Sequence, residues 1–254
     1  ELTAIAEKYG DERKTEIQDV EDEIDIEDLI EEEDCCYTLS NAGYIKRLPV
    51  DTYRTQRRGG RGVSGQSLKE EDYVKNLFIA STHDYVLFFT NTGRVHRKKG
   101  YQIPEAGRTA KGTNIVNILP LEPGETVTAG ITVHEFDDDN LMFVTKQGTV
   151  KRVLLSSLNT ARKAGIRALT LNEGDELIAV MKTNGENNIL LATRDGFAIC
   201  FNESDVRVMG RDAAGVKGIT LLDGDEVVGA GIAEPGKQLL TVTELGYGKR
   251  TEMN

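Results

Sequence analysis

LFFTNTGRVHR, residues 87–97, is an apolar run, a turn closing on glycine and then a basic strand. The same pattern recurs as YTLSNAGYIKR (37–47), MFVTKQGTVKR (142–152), LLATRDGFAIC (190–200) and LTVTELGYGKR (240–250). The turn glycines, Gly43, Gly93, Gly148, Gly196 and Gly246, stand 50, 55, 48 and 50 residues apart. A glycine fixed between two short β-rich runs marks a hairpin whose turn needs positive φ. A second glycine follows 19, 19, 17 and 19 residues later, at Gly62, Gly112, Gly165 and Gly215, each close behind cations. A third mark, LEPGETV, LNEGDEL and LLDGDEV, puts Gly124, Gly174 and Gly224 in a turn before another apolar strand. The first repeat has LKEEDYV there, without glycine.

Each unit therefore reads as four short strands, in the third repeat at 141–146, 149–154, 166–170 and 176–182. An all-β repeat of this length predicts a propeller-like array of four-stranded antiparallel blades. The blades are expected at 34–82, 84–133, 137–183 and 187–233, with a partial one at 236–254. A lone four-stranded sheet cannot bury both faces, so the blades pack on their neighbours. The continuous apolar runs Tyr85–Phe89, Leu141–Val144 and Ile189–Ala192 suit strands covered on both sides.

Residues 1–33 read differently. Leu2, Ile5, Ala6 and Tyr9 share one helical face, so the chain opens on the end of a helix begun upstream. Asp11–Asp34 then carries 14 acids against Arg13 and Lys14, and reads as a linker with one helical turn near Asp28. The formal charge of the chain is -11, yet residues 35–254 alone sum to +2. The acidic segment either is a solvated connector or competes with a polyanion for the basic body. No apolar run approaches the roughly 18 residues of a membrane span, and no signal peptide is visible. With no initiating methionine, the chain reads as a fragment of a longer protein from the cytoplasm. Cys35, Cys36 and Cys200 are too few for a disulfide framework or zinc site and read as buried small hydrophobes.

Catalytic patterns are scarce. His83, His96 and His134 have no serine, cysteine or carboxylate partner at a motif spacing. No phosphate-binding loop precedes a helix. Asp137–Asp139 lacks the alternating ligands of a calcium loop and reads as a solvated connection between blades. The cations, by contrast, fall at equivalent places. The hairpins carry Lys46 and Arg47, then Arg94, His96, Arg97, Lys98 and Lys99, then Lys151 and Arg152, then Lys249 and Arg250. The second glycines are accompanied by Arg57, Arg58 and Arg61, by Arg108 and Lys111, by Arg162, Lys163 and Arg167, and by Arg211 and Lys217. Around an axis these positions make a basic rim for a polyanion. The rim weakens at the fourth repeat, where FAIC replaces the basic strand. Without aromatics in the sequence beside the cations, duplex phosphates suit the rim better than stacked single strands. A protein-interaction propeller with an acidic partner is the alternative.

QRRGGRG, Gln56, Arg57, Arg58, Gly59, Gly60, Arg61 and Gly62, resembles the signature heptapeptide of the C-terminal domain of the DNA gyrase A subunit, a type IIA topoisomerase. EKYGDERKTEI (7–17) is similar to the junction ahead of that domain, and the repeats are similar to its blades. The resemblance implies a β-pinwheel whose blades exchange strands, with duplex DNA wrapped on the rim. It implies a holoenzyme of two A and two B subunits in the bacterial cytoplasm, supercoiling DNA with ATP and Mg. The breakage tyrosine and the ATPase lie outside the matching region, so no catalytic residue, cofactor or metal ligand is expected in this chain. The A subunit of topoisomerase IV has a similar disc with a degraded heptapeptide; the intact box favours gyrase.

Overall fold

The computed structural model describes residues 2–10, 26–52, 66, 72–160, 162 and 164–253. It divides into two units, Glu1–Glu31 and Glu32–Asn254. In the first, helix α1 spans Leu2–Tyr9 and a 3-10 turn spans Ile26–Leu29, the one helical turn expected near Asp28.

The second unit is built from strands. The first repeat gives β1 (Asp34–Ser40), β2 (Tyr44–Pro49) and β3 (Val74–Ser81). The second gives β4 (Tyr85–Thr90), β5 (Arg94–Lys99), the two-residue β6 (Thr113–Asn114) and β7 (Val127–Val133). The third gives β8 (Asn140–Thr145), β9 (Thr149–Leu154), β10 (Ile166–Arg167) and β11 (Leu177–Thr183). The fourth gives β12 (Asn188–Thr193), β13 (Ala198–Asn202), β14 (Val216–Lys217) and β15 (Val227–Ala233). β16 (Gln238–Val242) and β17 (Gly248–Glu252) form the last hairpin.

Each hairpin turns in the same way. The glycine N–H bonds back to the carbonyl three residues earlier, as Gly93 to Thr90 at 2.9 Å, and that residue's hydroxyl accepts from the N–H after the glycine, as Arg94 N to Thr90 Oγ1 at 3.3 Å. Ser40, Thr145, Thr193 and Thr243 repeat both bonds. Gly93 adopts φ +78°, the conformation a side chain would oppose. A carboxylate from the third sequence mark completes the turn: Asp175 accepts from Gln147 N at 2.9 Å and Asp225 from Asp195 N at 3.1 Å. Asp72, inside the glycine-free LKEEDYV, does the same for Ala42 N at 2.9 Å, so the departure in the first repeat keeps the acid and loses only the glycine.

The sheets are ordered β3-β1-β2-β6, β10-β5-β4-β7, β11-β8-β9-β14 and β13-β12-β15, all antiparallel, with β16-β17 apart. β3, β7, β11 and β15 meet in succession at the inner edges, which sets the sheets in propeller-like array. Here one expectation is corrected. Residues 166–167 do not complete the sheet of their own repeat; β10 pairs with β5 of the preceding one, as β6 does with β2 and β14 with β9. The cause is local: a Cβ on Gly112 would lie 2.5 Å from Ile45 O, and one on Gly215 2.5 Å from Val150 O. Only a bare backbone can lie so close against the neighbouring hairpin. The strand exchange implied by the pinwheel resemblance is present.

Three cores fill the spaces between sheets. Along β4, Val86 and Phe88 face the first sheet, and Leu87 and Phe89 face the third. Along β8, Leu141 and Phe143 face the second sheet, and Met142 and Val144 face the fourth. The unbroken apolar runs are thus strands buried on both faces. β12 is buried fully on one face only, through Ile189 and Leu191. Cys35 and Cys36 are buried as expected, but Cys200 is exposed, because β13 has no outer strand beside it among the described residues.

Candidate nucleic-acid interface

Strand exchange brings cations of three consecutive repeats together on the outer edge. Arg94 starts β5, Arg162 and Arg167 flank and occupy β10, and Arg211 lies in the loop leading to β14. They line one open cleft of about 480 Å³ with Thr92, Gly165, Ile166, Glu122 and Asp212. Four guanidinium groups thus face two carboxylates. Arg94 is held by Glu122 at 3.3 Å and donates to Ala164 O at 2.7 Å, anchoring the loop that carries Arg162. Arg162, Arg167 and Arg211 are exposed.

The other expected rim residues divide by burial. Arg108, Lys217, Lys249 and Arg250 are exposed; Lys98, Lys99 and Lys111 are half-buried. Arg47 and Arg152 keep only 15% and 13% of their side chains exposed. Arg47 pairs with Glu33 at 3.6 Å and Glu105 at 3.4 Å and donates to Ile103 O, while Arg152 approaches Glu203 at 3.9 Å. Lys46 and Lys151 are 0% exposed, so the structure removes them from the rim surface. The Lys46 ammonium donates to the carbonyls of Gly107, Arg108 and Ala110 at 2.9, 2.8 and 3.0 Å. Lys151 donates to Ala168 O and Arg211 O at 2.9 and 2.6 Å. Burial lowers both pKa values, that of Lys151 to about 8. Gln56–Gly62 and Lys163 lie outside the described residues. Four positions beyond the box, buried Gln66 donates to Lys111 O at 2.7 Å and Tyr44 O at 3.3 Å.

The expectation that no aromatics accompany the cations is corrected. Arg97 lies over Tyr85 at 4.7 Å and Phe136 at 5.8 Å, Lys99 over Tyr85 at 3.9 Å and Lys111 over Tyr44 at 3.8 Å. Sequence distance hid these contacts: Arg97 and Phe136 are far apart in the chain and meet only when β7 returns beside β4.

The family described as "DNA gyrase C-terminal domain, beta-propeller" matches residues 37–81, 84–134, 139–184, 187–234 and 237–254, one segment for each repeat. The chain belongs to that family. It is 51% identical over 263 residues to the DNA gyrase A subunit of Staphylococcus epidermidis, covering 100% of this chain and 29% of that protein. It is 53% identical over 219 residues to the DNA gyrase A subunit of Clostridium acetobutylicum, covering 86% of this chain and 26% of that one. The chain thus spans less than a third of the curated relatives it matches. Among solved structures, the C-terminal domain of DNA topoisomerase IV superposes with a TM-score of 0.74 at 28% identity, covering 88% of this chain and 69% of that one. The DNA gyrase A C-terminal domain superposes with a TM-score of 0.69 at 29% identity, covering 87% and 72%.

In this family member one of the hairpin positions expected on the rim is buried instead. His96 occupies the place of Lys46 and Lys151, three residues past the turn glycine, and is 1% exposed. Both ring nitrogens lack a hydrogen-bond partner among the described residues; the nearest carboxylate oxygen is Glu125 Oε1 at 3.9 Å. Burial pushes the His96 pKa down, with Glu125 opposing. For Glu125 burial pulls upward, but bonds from Glu122 N, Thr90 and Thr92 hold it below the usual carboxylate value. Asp137 and Asp139 hold Lys182 at 3.2 and 2.8 Å, and Asp84 holds the exposed His134 at 2.8 Å.

Proposed function

We propose that the chain binds duplex DNA along the outer edges of its sheets and bends it around them, as the wrapping part of a gyrase A subunit. The observation that carries this reading is the arginine cleft. Guanidinium forks match phosphate oxygens in pairs, and Arg162, Arg167 and Arg211 are exposed along the cleft. Tyr85, Phe136 and Tyr44 already carry cations on their faces, which disfavours base stacking there and favours a backbone-reading mode. Bending about 20–30 base pairs by 40–90° costs on the order of 1–6 kcal/mol, so contacts have to be spread over several repeats. The repeated cations at the outer edge provide that spread.

In the whole enzyme the wrap presents a second DNA segment to the gate, and the B subunit hydrolyses ATP with Mg in an A2B2 assembly of the bacterial cytoplasm. Among the described residues no cluster of three His, Cys, Asp or Glu could hold a metal ion. No helix among them is long and apolar enough to cross a membrane. The heptapeptide Gln56–Gly62 completes the wrap. Alanine at Arg57, Arg58 and Arg61 together abolishes supercoiling by the holoenzyme and spares relaxation.

Titration with linear duplex over a salt series tests the reading. Log affinity falls by about 0.9 per log salt for each phosphate neutralised, so Arg167→Ala with Arg211→Ala lowers the slope by about 1.8. No binding, or a slope indifferent to salt, overturns it.

A further inference from the structure

Lys46 and Lys151 face no solvent, yet Lys46 uses its ammonium on carbonyls of the loop that the next repeat sends across, and Lys151 on one carbonyl of its own repeat and one of the next. Burying an ammonium is costly, and a methionine of similar length would fill the space without that cost. What the lysines hold is therefore informative. Lys151 bonds the carbonyl of Ala168, the residue after Arg167, and the carbonyl of Arg211 itself. Arg167 and Arg211 are two of the four arginines of the cleft. Lys46 bonds the carbonyls of Gly107, Arg108 and Ala110, the stretch that presents exposed Arg108 and leads into Lys111. Three acceptors around one nitrogen require three N–H donors, which a lysine has only as the ammonium.

We infer that Lys151 and Lys46 are positioning residues of the nucleic-acid interface, setting from the interior the backbone that carries Arg167, Arg211 and Arg108. The inference rests on the duplex-binding reading above. It separates two roles among residues of one type: the exposed arginines meet phosphate, and the buried lysines decide where those arginines stand. His96 shows the contrast, because at the same place in the second repeat the ring bonds nothing among the described residues and the loop is held instead by Arg94 on Ala164 O.

A double-mutant cycle on duplex affinity tests it. Lys151→Met removes the tie, and Arg167→Ala with Arg211→Ala removes what the tie positions. Lys151→Met alone weakens binding at low salt, and over a fourfold rise in salt it loses roughly tenfold less affinity than wild type does, the effect of about two phosphate contacts. In the Arg167→Ala, Arg211→Ala background it has almost no further effect. Equal loss in both backgrounds overturns the inference, since general destabilisation acts whether or not the arginines are present. A wild-type chain that does not bind duplex overturns the functional reading instead, and the two failures are distinct.

A pH series on chains without the methionine substitution decides the matter if Lys151→Met does not fold. Burial holds the Lys151 pKa at about 8, with Asp212 the charged group facing it and opposing the shift. Between pH 7 and 9 the ammonium loses its charge, and the bonds to Ala168 O and Arg211 O lose the reinforcement that charge gives. Wild-type affinity falls across that interval, and the Arg167→Ala, Arg211→Ala chain shows a flatter profile. Parallel profiles overturn the inference.

Discussion

Alanine at Gly215 and alanine at Gly196 separate the cost of a turn from the cost of an exchanged strand. Both glycines have positive φ, +103° and +89°. Each substitution pays for a conformation that L-residues resist, about 1–2 kcal/mol. Gly196 has nothing within 4 Å of the added methyl, so the cost ends there. At Gly215 the methyl would stand 2.5 Å from Val150 O and 2.9 Å from Thr149 Cγ2. Backbone has to move, and what moves is β14, which is only two residues long. Its ladder to β9 and the bond from Gly218 N to Gly148 O, 2.8 Å, are released. At about 1 kcal/mol for each of two bonds, Gly215→Ala costs about 3–4 kcal/mol. For a chain of this size 1 kcal/mol moves the melting temperature by about 2–4 °C, giving about 4 °C for Gly196→Ala and about 10 °C for Gly215→Ala. Circular dichroism melting measures both, and amide exchange at Gly218 and Ile219 reports the local release. Equal depressions, with those two amides still protected, would refute the exchange as the source of the difference.

Phe143→Ala opens the core between the second and third sheets, where Phe143 stands edge-on to Phe89 at 5.4 Å, and costs about 3–5 kcal/mol by urea unfolding. His96 has a folded pKa below its ordinary 6.5, so the unfolded chain takes up the proton first as pH falls. Stability therefore drops as pH falls below 6.5, and His96→Gln weakens that fall in melting temperatures measured over a pH series. Glu125 acts in a separate window, its contribution present above 4.5 and lost below as the carboxylate protonates. Of the three thiols, Cys200 reacts quickly with a soluble maleimide on the folded chain while buried Cys35 and Cys36 stay protected; mass mapping of the labelled peptides checks this.

The blades were legible because their markers are backbone requirements. A glycine with positive φ and a two-faced apolar run have few other meanings, and both recur at a fixed interval. Strand exchange was not legible from the repeat alone. β6, β10 and β14 are two residues long, too short for any alternation, and an antiparallel partner on the neighbouring sheet looks the same in sequence as one on its own. The resemblance supplied what the pattern lacked. In the interface, the burial of individual cations was not legible. Lys46 and Arg47 are adjacent cations, yet one is sealed under three carbonyls and the other lies mostly covered between two glutamates. The turn-capping acids Asp72, Glu125, Asp175 and Asp225 also passed unread, because a carboxylate before a strand is ordinarily a solubilising residue.

Because the outer strand of a sheet arrives from the following repeat, a chain emerging from the ribosome cannot finish its sheets in turn. The sheet begun by β1 at Asp34 waits for Asn114, the next for Arg167, and the third for Lys217. During each wait β2, β5 or β9 stands as a bare edge able to capture a wrong strand. Those three strands are the ones that carry KR, RVHRKK and KR. Charge on an open edge disfavours such capture, and at Lys46 and Lys151 the late-arriving chain then encloses it.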